Sequence, residues 1–148
     1  MIKFGTYTLY RNYLLRMVQQ GNSFRIIYEG FDCPFDDFSL YKDAVYFKNV
    51  SEKNISNALF IKTKCIYKGY QFDVSTSTAD NMIGIVTDDK VAYEKLNLDF
   101  REPGVYQKEV FIIDVDKLWE EYSPSSLNLP MPEGLPKERV IEIPKRDL

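Results

Sequence analysis

Three adjacent carboxylate pairs, Asp36-Asp37, Asp88-Asp89 and Glu120-Glu121, and two cysteines, Cys33 and Cys65, are the groups with which this chain could do chemistry. Paired carboxylates serve general acid–base work, and a thiolate can serve as a nucleophile. Neither reading goes far. Neighbouring residues on a strand point to opposite faces, and on a helix they lie about 100° apart, so adjacent acids seldom share one substrate atom. They are expected as solvated loop or capping residues. The chain contains no histidine, which removes the commonest general base, the partner of Ser-His and Cys-His pairs, and the commonest metal ligand. No phosphate-binding glycine pattern occurs, and the seven glycines are scattered. "DVDKLWEE" lacks the glycine and downstream glutamate of an EF-hand and reads better as a helix N-terminus. The expectation is a protein that is not an enzyme, with no catalytic residue, cofactor or metal.

A second kind of chemistry is recognition. Residues 29–43, "EGFDCPFDDFSLYKD", carry Glu29, Asp32, Asp36, Asp37 and Asp43 against a single Lys42, interleaved with Phe31, Phe35, Phe38 and Tyr41. Rings supply a buried anchor at protein interfaces, and carboxylates supply steering and register against a basic surface. Glu29, Phe31, Asp32, Phe35, Asp36, Asp37, Tyr41 and Asp43 are therefore the candidate partner-binding residues. The alternative is a loop whose rings pack on the core while its acids face water.

The elements that must position this segment are mostly strands. Aromatic residues make up 15% of the chain, with eleven Tyr and ten Phe, and rings suit a half-buried pleated surface. "GTYTLY" and "FIKTKCIY" alternate as strands do. Each is followed by a two-residue turn, "RN" or "KG", then by a second strand, "YLLRMVQQ" or "YQFDVSTS". The same succession thus occurs twice. Leu9–Tyr13 matches Ile66–Tyr70 at an offset of 57, "FRIIYE" falls on "IGIVTD" at 59, and "AVYFKNV" on "GVYQKEV" at 60. Three blocks in one order with small loop insertions indicate two tandem units, about 1–60 and 61–122. Positions on which the copies agree, such as Tyr10/Tyr67, Tyr13/Tyr70 and Tyr46/Tyr106, are explained by a shared fold. The segment 29–43 is what they do not share. Short helices are expected over 87–98, 51–60 and 114–122 from their capping residues and apolar spacing.

The fold expected is mainly β (α+β). Two β-rich repeats form a single pseudo-symmetric domain over 1–122, joined by short helices. From Ser123 five of the seven prolines gather, so 123–148 is expected as an extended arm packing on that domain, with a short edge strand near 139–144. The net charge of −3 argues against direct nucleic-acid binding through a general positive field. No run approaches the roughly 20 apolar residues that span a bilayer, and "MIKFGTYTLY" lacks a secretory signal. A cytoplasmic protein, monomeric or weakly homodimeric, is the expectation. Two reduced thiols fit that compartment, with a Cys33–Cys65 disulfide as the alternative.

At "GTYTLYRN", "IYKGYQFDV" and "PGVYQKEV" the chain resembles small immunity proteins of Bacillus-type polymorphic toxin systems. In that family the opening is expected to read "KYGxYxxYKG", with a later "YKGYxF" and a "GVYxK" block. Here "YRN" stands in place of the first "YKG", and the proline-rich end lies outside the likeness, which covers about residues 1–120. The resemblance implies a protein that neutralises a cognate toxin domain by tight one-to-one binding and masking of its active site. A nuclease toxin with a basic cleft would suit the acidic segment. A generic β-rich peptide- or protein-binding module, and a small structural protein oligomerising through edge strands, are the competing readings.

Overall fold

The computed structural model describes residues 2–76 and 79–144, and among these it is mainly β, with twelve strands and one α-helix. The chain divides into two compact units. One is Gly5–Phe60 with Ser123–Leu135; the other is Ile61–Tyr122 with the residues up to Phe4 and those from Pro136 onward.

In the first unit β1 (Gly5–Tyr10), β2 (Tyr13–Gln20), β3 (Ser23–Glu29), β4 (Ser39–Lys42) and β5 (Val45–Ser51) form an antiparallel sheet in the order β4-β5-β3-β2-β1. The β1–β2 hairpin closes Tyr10 on Tyr13 through Arg11 and Asn12, both at positive φ. That is the two-residue turn whose backbone twist matches the strands. Alternation then fixes the buried face: Leu15 and Met17 of β2, Phe24 and Ile26 of β3, and Val50 of β5 point into one core. Ile55 and Ala58 join it after a three-residue 3-10 turn, Glu52–Asn54. Asn57 closes the unit's polar account. Its side chain accepts from Leu9 N at 2.8 Å and donates to Leu9 O at 3.1 Å, serving the β1 backbone as another strand would. Leu127 and Leu129 pack against the same core, and Pro130 O accepts from Ala58 N.

The second unit has β6 (Leu59–Tyr67, its first two residues belonging to the first unit), β7 (Tyr70–Thr76), β8 (Met82–Thr87), α1 (Lys90–Leu96), β9 (Asp99–Glu102) and β10 (Val105–Phe111). Their order, β6-β7-β8-β10-β9, is that of the first unit position for position. The registers agree as well. Phe24 opposes Val50 as Ile83 opposes Val110, and Tyr28 opposes Tyr46 as Thr87 opposes Tyr106. Each short outer strand carries a bulge at the same place, Tyr41 in β4 and Arg101 in β9. The unit continues with β11 (Lys117–Ser123), which pairs with β6 and with β12 (Glu138–Ile141).

Several expectations change. Within 114–122 the chain forms strand β11 from Lys117 onward, not a helix. Leu118, Trp119, Glu120 and Tyr122 are all buried, and a strand covered on both faces loses the alternation that marks one. Over 51–60 only the three-residue 3-10 turn forms before the chain extends into β6. The helix expected over 87–98 is present as α1. The Asp89 carboxylate caps it by accepting from Val91 N at 2.9 Å and Ala92 N at 3.3 Å, and Asn97 ends it in the left-handed region. The "AVYFKNV" and "GVYQKEV" blocks lie on the fifth strand of each unit, because β4 and β9 precede them. Every residue of these two strands is exposed, so they carry no hydrophobic alternation to read. The strand expected near 139–144 is β12.

Candidate functional site

The loop from Gly30 to Phe38 joins β3 to β4, and three kinds of contact fold it onto its unit. Gly30 N donates to Ala44 O at 2.8 Å, tying the loop's start to the β4–β5 turn. Phe35 and Phe38 are buried, stacked on each other with centroids 4.7 Å apart. Phe35 meets Tyr13, Tyr28 and Tyr10 edge-on at 5.3, 6.1 and 6.3 Å. Edge-to-face packing sets the positive rim of one ring against the negative face of another, adding to the area buried.

The third contact is ionic. Arg11 donates from both terminal nitrogens to Asp37, at 2.8 and 2.7 Å, and Lys48 Nζ donates to the same carboxylate at 2.6 Å. The two donated bonds, Arg11 first and Lys48 second, hold the Asp37 carboxyl well below the usual carboxylate range. Reciprocally, Asp37 raises the Arg11 guanidinium and the Lys48 ammonium. The Arg11 guanidinium also lies over the Tyr10 and Phe35 rings at 4.8 and 5.6 Å. On the near side of the loop, Tyr28 OH donates to Asp32 at 2.9 Å, which raises the phenol.

This geometry sorts the eight candidate residues. Phe35 is core, Asp37 is held by the Arg11–Lys48 clamp, and Asp32 is bonded to Tyr28. Glu29, Phe31, Asp36, Tyr41 and Asp43 are exposed. Phe31 is 89% exposed and Tyr41 64%, and they are joined by Leu40 at 61%, a residue absent from the sequence-based set. Glu29 pairs with Val45 across β3–β5, Gly30 bonds Ala44, and Asp43 lies in the β4–β5 turn at positive φ. Glu29, Phe31 and Asp43 therefore gather at one end of the unit. Leu40, although inside the segment 29–43, was not singled out because its neighbours show no alternation. Nor did the sequence reveal the clamp, since Arg11 and Lys48 sit in blocks whose residue pattern recurs in both units.

Several of the other chemical groups make contacts within the fold. Glu120 and Glu121 do take opposite faces of β11, but Glu120, expected in solvent, is buried. It receives Tyr122 OH at 2.7 Å and Lys3 Nζ at 3.3 Å, with Arg139 Nε at 3.5 Å. Burial first and this bond second push the Tyr122 phenol up to about 12. Glu121 accepts from Trp119 Nε1 at 3.0 Å and pairs with Lys64, and these contacts lower its carboxyl. Both cysteines are free thiols. Cys65 is fully buried, which pushes it up to about 12, with smaller contributions from Asp116 and Asp73. A recess of about 340 Å³ in the second unit is lined by Gln71, Phe72, Asp73, Val86, Thr87, Asp88 and Gly104. Among the described residues no three His, Cys, Asp or Glu side chains gather to hold a metal, and no helix is long and apolar enough to cross a membrane.

Fold and surface together define a mainly-β protein of antiparallel sheets that presents an acidic, aromatic segment on one unit. Residues 2–126 match the family described as "Uncharacterised conserved protein UCP033725", and the chain belongs to that family. No curated protein and no solved structure matches it.

Proposed function

We propose that the protein is an immunity protein that binds a cognate polymorphic toxin domain and neutralises it by masking its active site. The observation that carries this reading is the exposed set Glu29, Phe31, Asp36, Leu40, Tyr41 and Asp43, in which large apolar side chains stand among carboxylates. Exposed rings fringed mainly by one sign of charge, here three carboxylates against Lys42, are what a protein partner of the other sign buries. The fold does not demand them: the other unit reaches the same strand order with a capped helix and charged β9 residues in their place. The surface acts by steric and electrostatic exclusion, without catalysis, against a toxin whose contact face is basic, as a nuclease cleft is. The matching strand order, registers and bulges support the companion proposal that the two units arose by tandem duplication, with the proline-rich stretch after Ser123 as an added arm. We place the protein in the cytoplasm, where a toxin of this kind acts.

Co-expression with the toxic C-terminal domain encoded by the adjacent gene tests the reading. Growth should be rescued and the two chains should co-purify one to one. No rescue and no complex refutes it. Within a complex, Asp36→Lys with Asp43→Lys should lower affinity at least tenfold while the Tm stays within about 2 °C. Asp37 is not a clean probe, because its clamp is part of the fold.

A further inference from the structure

Resting on the reading that residues 29–43 meet a protein partner, we propose how that partner is held: an extended basic segment adds to β4 as a further antiparallel or parallel strand. β4 ends its sheet path with β5 on one side and no strand on the other among the described residues. Its outward backbone donors and acceptors are therefore open to another chain. Proteins blunt such edges with charge, bulges and brevity.

The two units treat their equivalent edges differently. β9, "DFRE", carries charge at three of its four positions and sets Arg101 at its bulge. β4, "SLYK", is equally short and also bulged, but it carries one charge and places Tyr41 at the bulge. A bulge re-aims its extra residue, and Tyr41 leans on Phe47 with ring centroids 6.5 Å apart. The guard present on β9 is missing from β4, and apolar side chains take its place.

Charge selects the occupant. Glu29, opposite Val45, and Asp43, in the β4–β5 turn, are exposed at the end of this edge, against Lys42. Two copies meeting edge to edge would bring the two acidic segments together, whereas a lysine- or arginine-bearing strand would be drawn in. Backbone pairing supplies the affinity in strand addition, and alternate side chains supply the selectivity. Leu40 and Tyr41 offer apolar contact, and the carboxylates receive the cations.

The test uses the whole protein and a synthetic ten-residue peptide alternating lysine with valine, beside the same peptide N-methylated along its central backbone. Amide hydrogen exchange over Ser39–Lys42 should slow at least tenfold with the first peptide and less than twofold with the second. The β9 amides should not change. Tyr41→Pro should abolish the protection. So should Tyr41→Lys, which alters an exposed side chain and keeps the fold. Equal protection by both peptides means charge attraction alone and overturns the proposal. So does protection placed elsewhere, no protection at all, or concentration-dependent protection without peptide, which would mark a second copy. A failure here, with rescue and co-purification intact, retires strand addition and leaves the toxin-binding reading standing.

Discussion

Phe35→Ala separates the two meanings an aromatic residue can have in an acidic loop. Phe35 is 9% exposed and contacts four rings. A buried phenyl side chain removes about 150 Å² or more from water, which at about 25 cal/mol per Å² is roughly 4 kcal/mol. Residual compactness of the unfolded chain lowers that figure by about 10–40%. The cavity left behind adds to the cost, and a loop residue lets its surroundings close partly over the gap. A destabilisation of about 3 kcal/mol follows, within the usual range for Phe→Ala in a core. At about 3–5 °C per kcal/mol for a chain of this length, the Tm should fall by about 10 °C. Urea unfolding followed by far-ultraviolet circular dichroism measures the change, with Phe31→Ala as the paired control. Phe31, 89% exposed, should shift stability by no more than about 0.5 kcal/mol. A loss below about 1 kcal/mol for Phe35→Ala at an unchanged m-value would show that the ring cluster does not hold the loop, and Phe35 would return to the partner-binding set.

The Asp37 carboxyl is depressed in the folded chain, so its contribution is complete above the ordinary carboxylate value and is lost as pH falls through and below it. Asp37→Asn should therefore flatten the fall in Tm between about pH 5 and pH 2 relative to the parent protein, and a parallel fall in both would remove the clamp from the account. Asp89→Ala should cost about 1 kcal/mol by leaving the first amides of α1 uncapped, measured by urea unfolding; a change under about 0.3 kcal/mol would deny the cap its role. With Cys65 buried and raised to about 12, Ellman's reagent at pH 8 should modify Cys33 in the native protein and reach Cys65 only on unfolding. Two fast equivalents would contradict the burial.

Legibility followed the physics of each element. The hairpins could be read because a two-residue turn with positive φ at both positions demands particular residues, and Asn12 and Gly69 supply them. Strands β2, β3, β7 and β8 could be read because each buries one face, so their apolar residues alternate. β4 and β9 bury neither face and β11 buries both, and in both cases alternation vanishes. The acidic segment was found as a difference between the two halves of the sequence. Its internal division was not, because Asp36 and Asp37 are chemically identical in the sequence. What separates them is the approach of Arg11 and Lys48, which depends on the folded β1–β2 turn and on β5.

The junction between the third strand and the short outer strand has one further consequence. In one unit it holds the loop 30–38, in the other the residues 88–98 with their helix, yet the flanking registers on both sides are the same. The junction behaves as a cassette whose contents the frame tolerates, provided that a few apolar side chains reach the core: Phe35 and Phe38 in one case, Ala92 and Leu98 in the other. Exchange of specificity by loop grafting has a ready-made site here. The graft would keep two anchoring residues and leave the remainder free to vary.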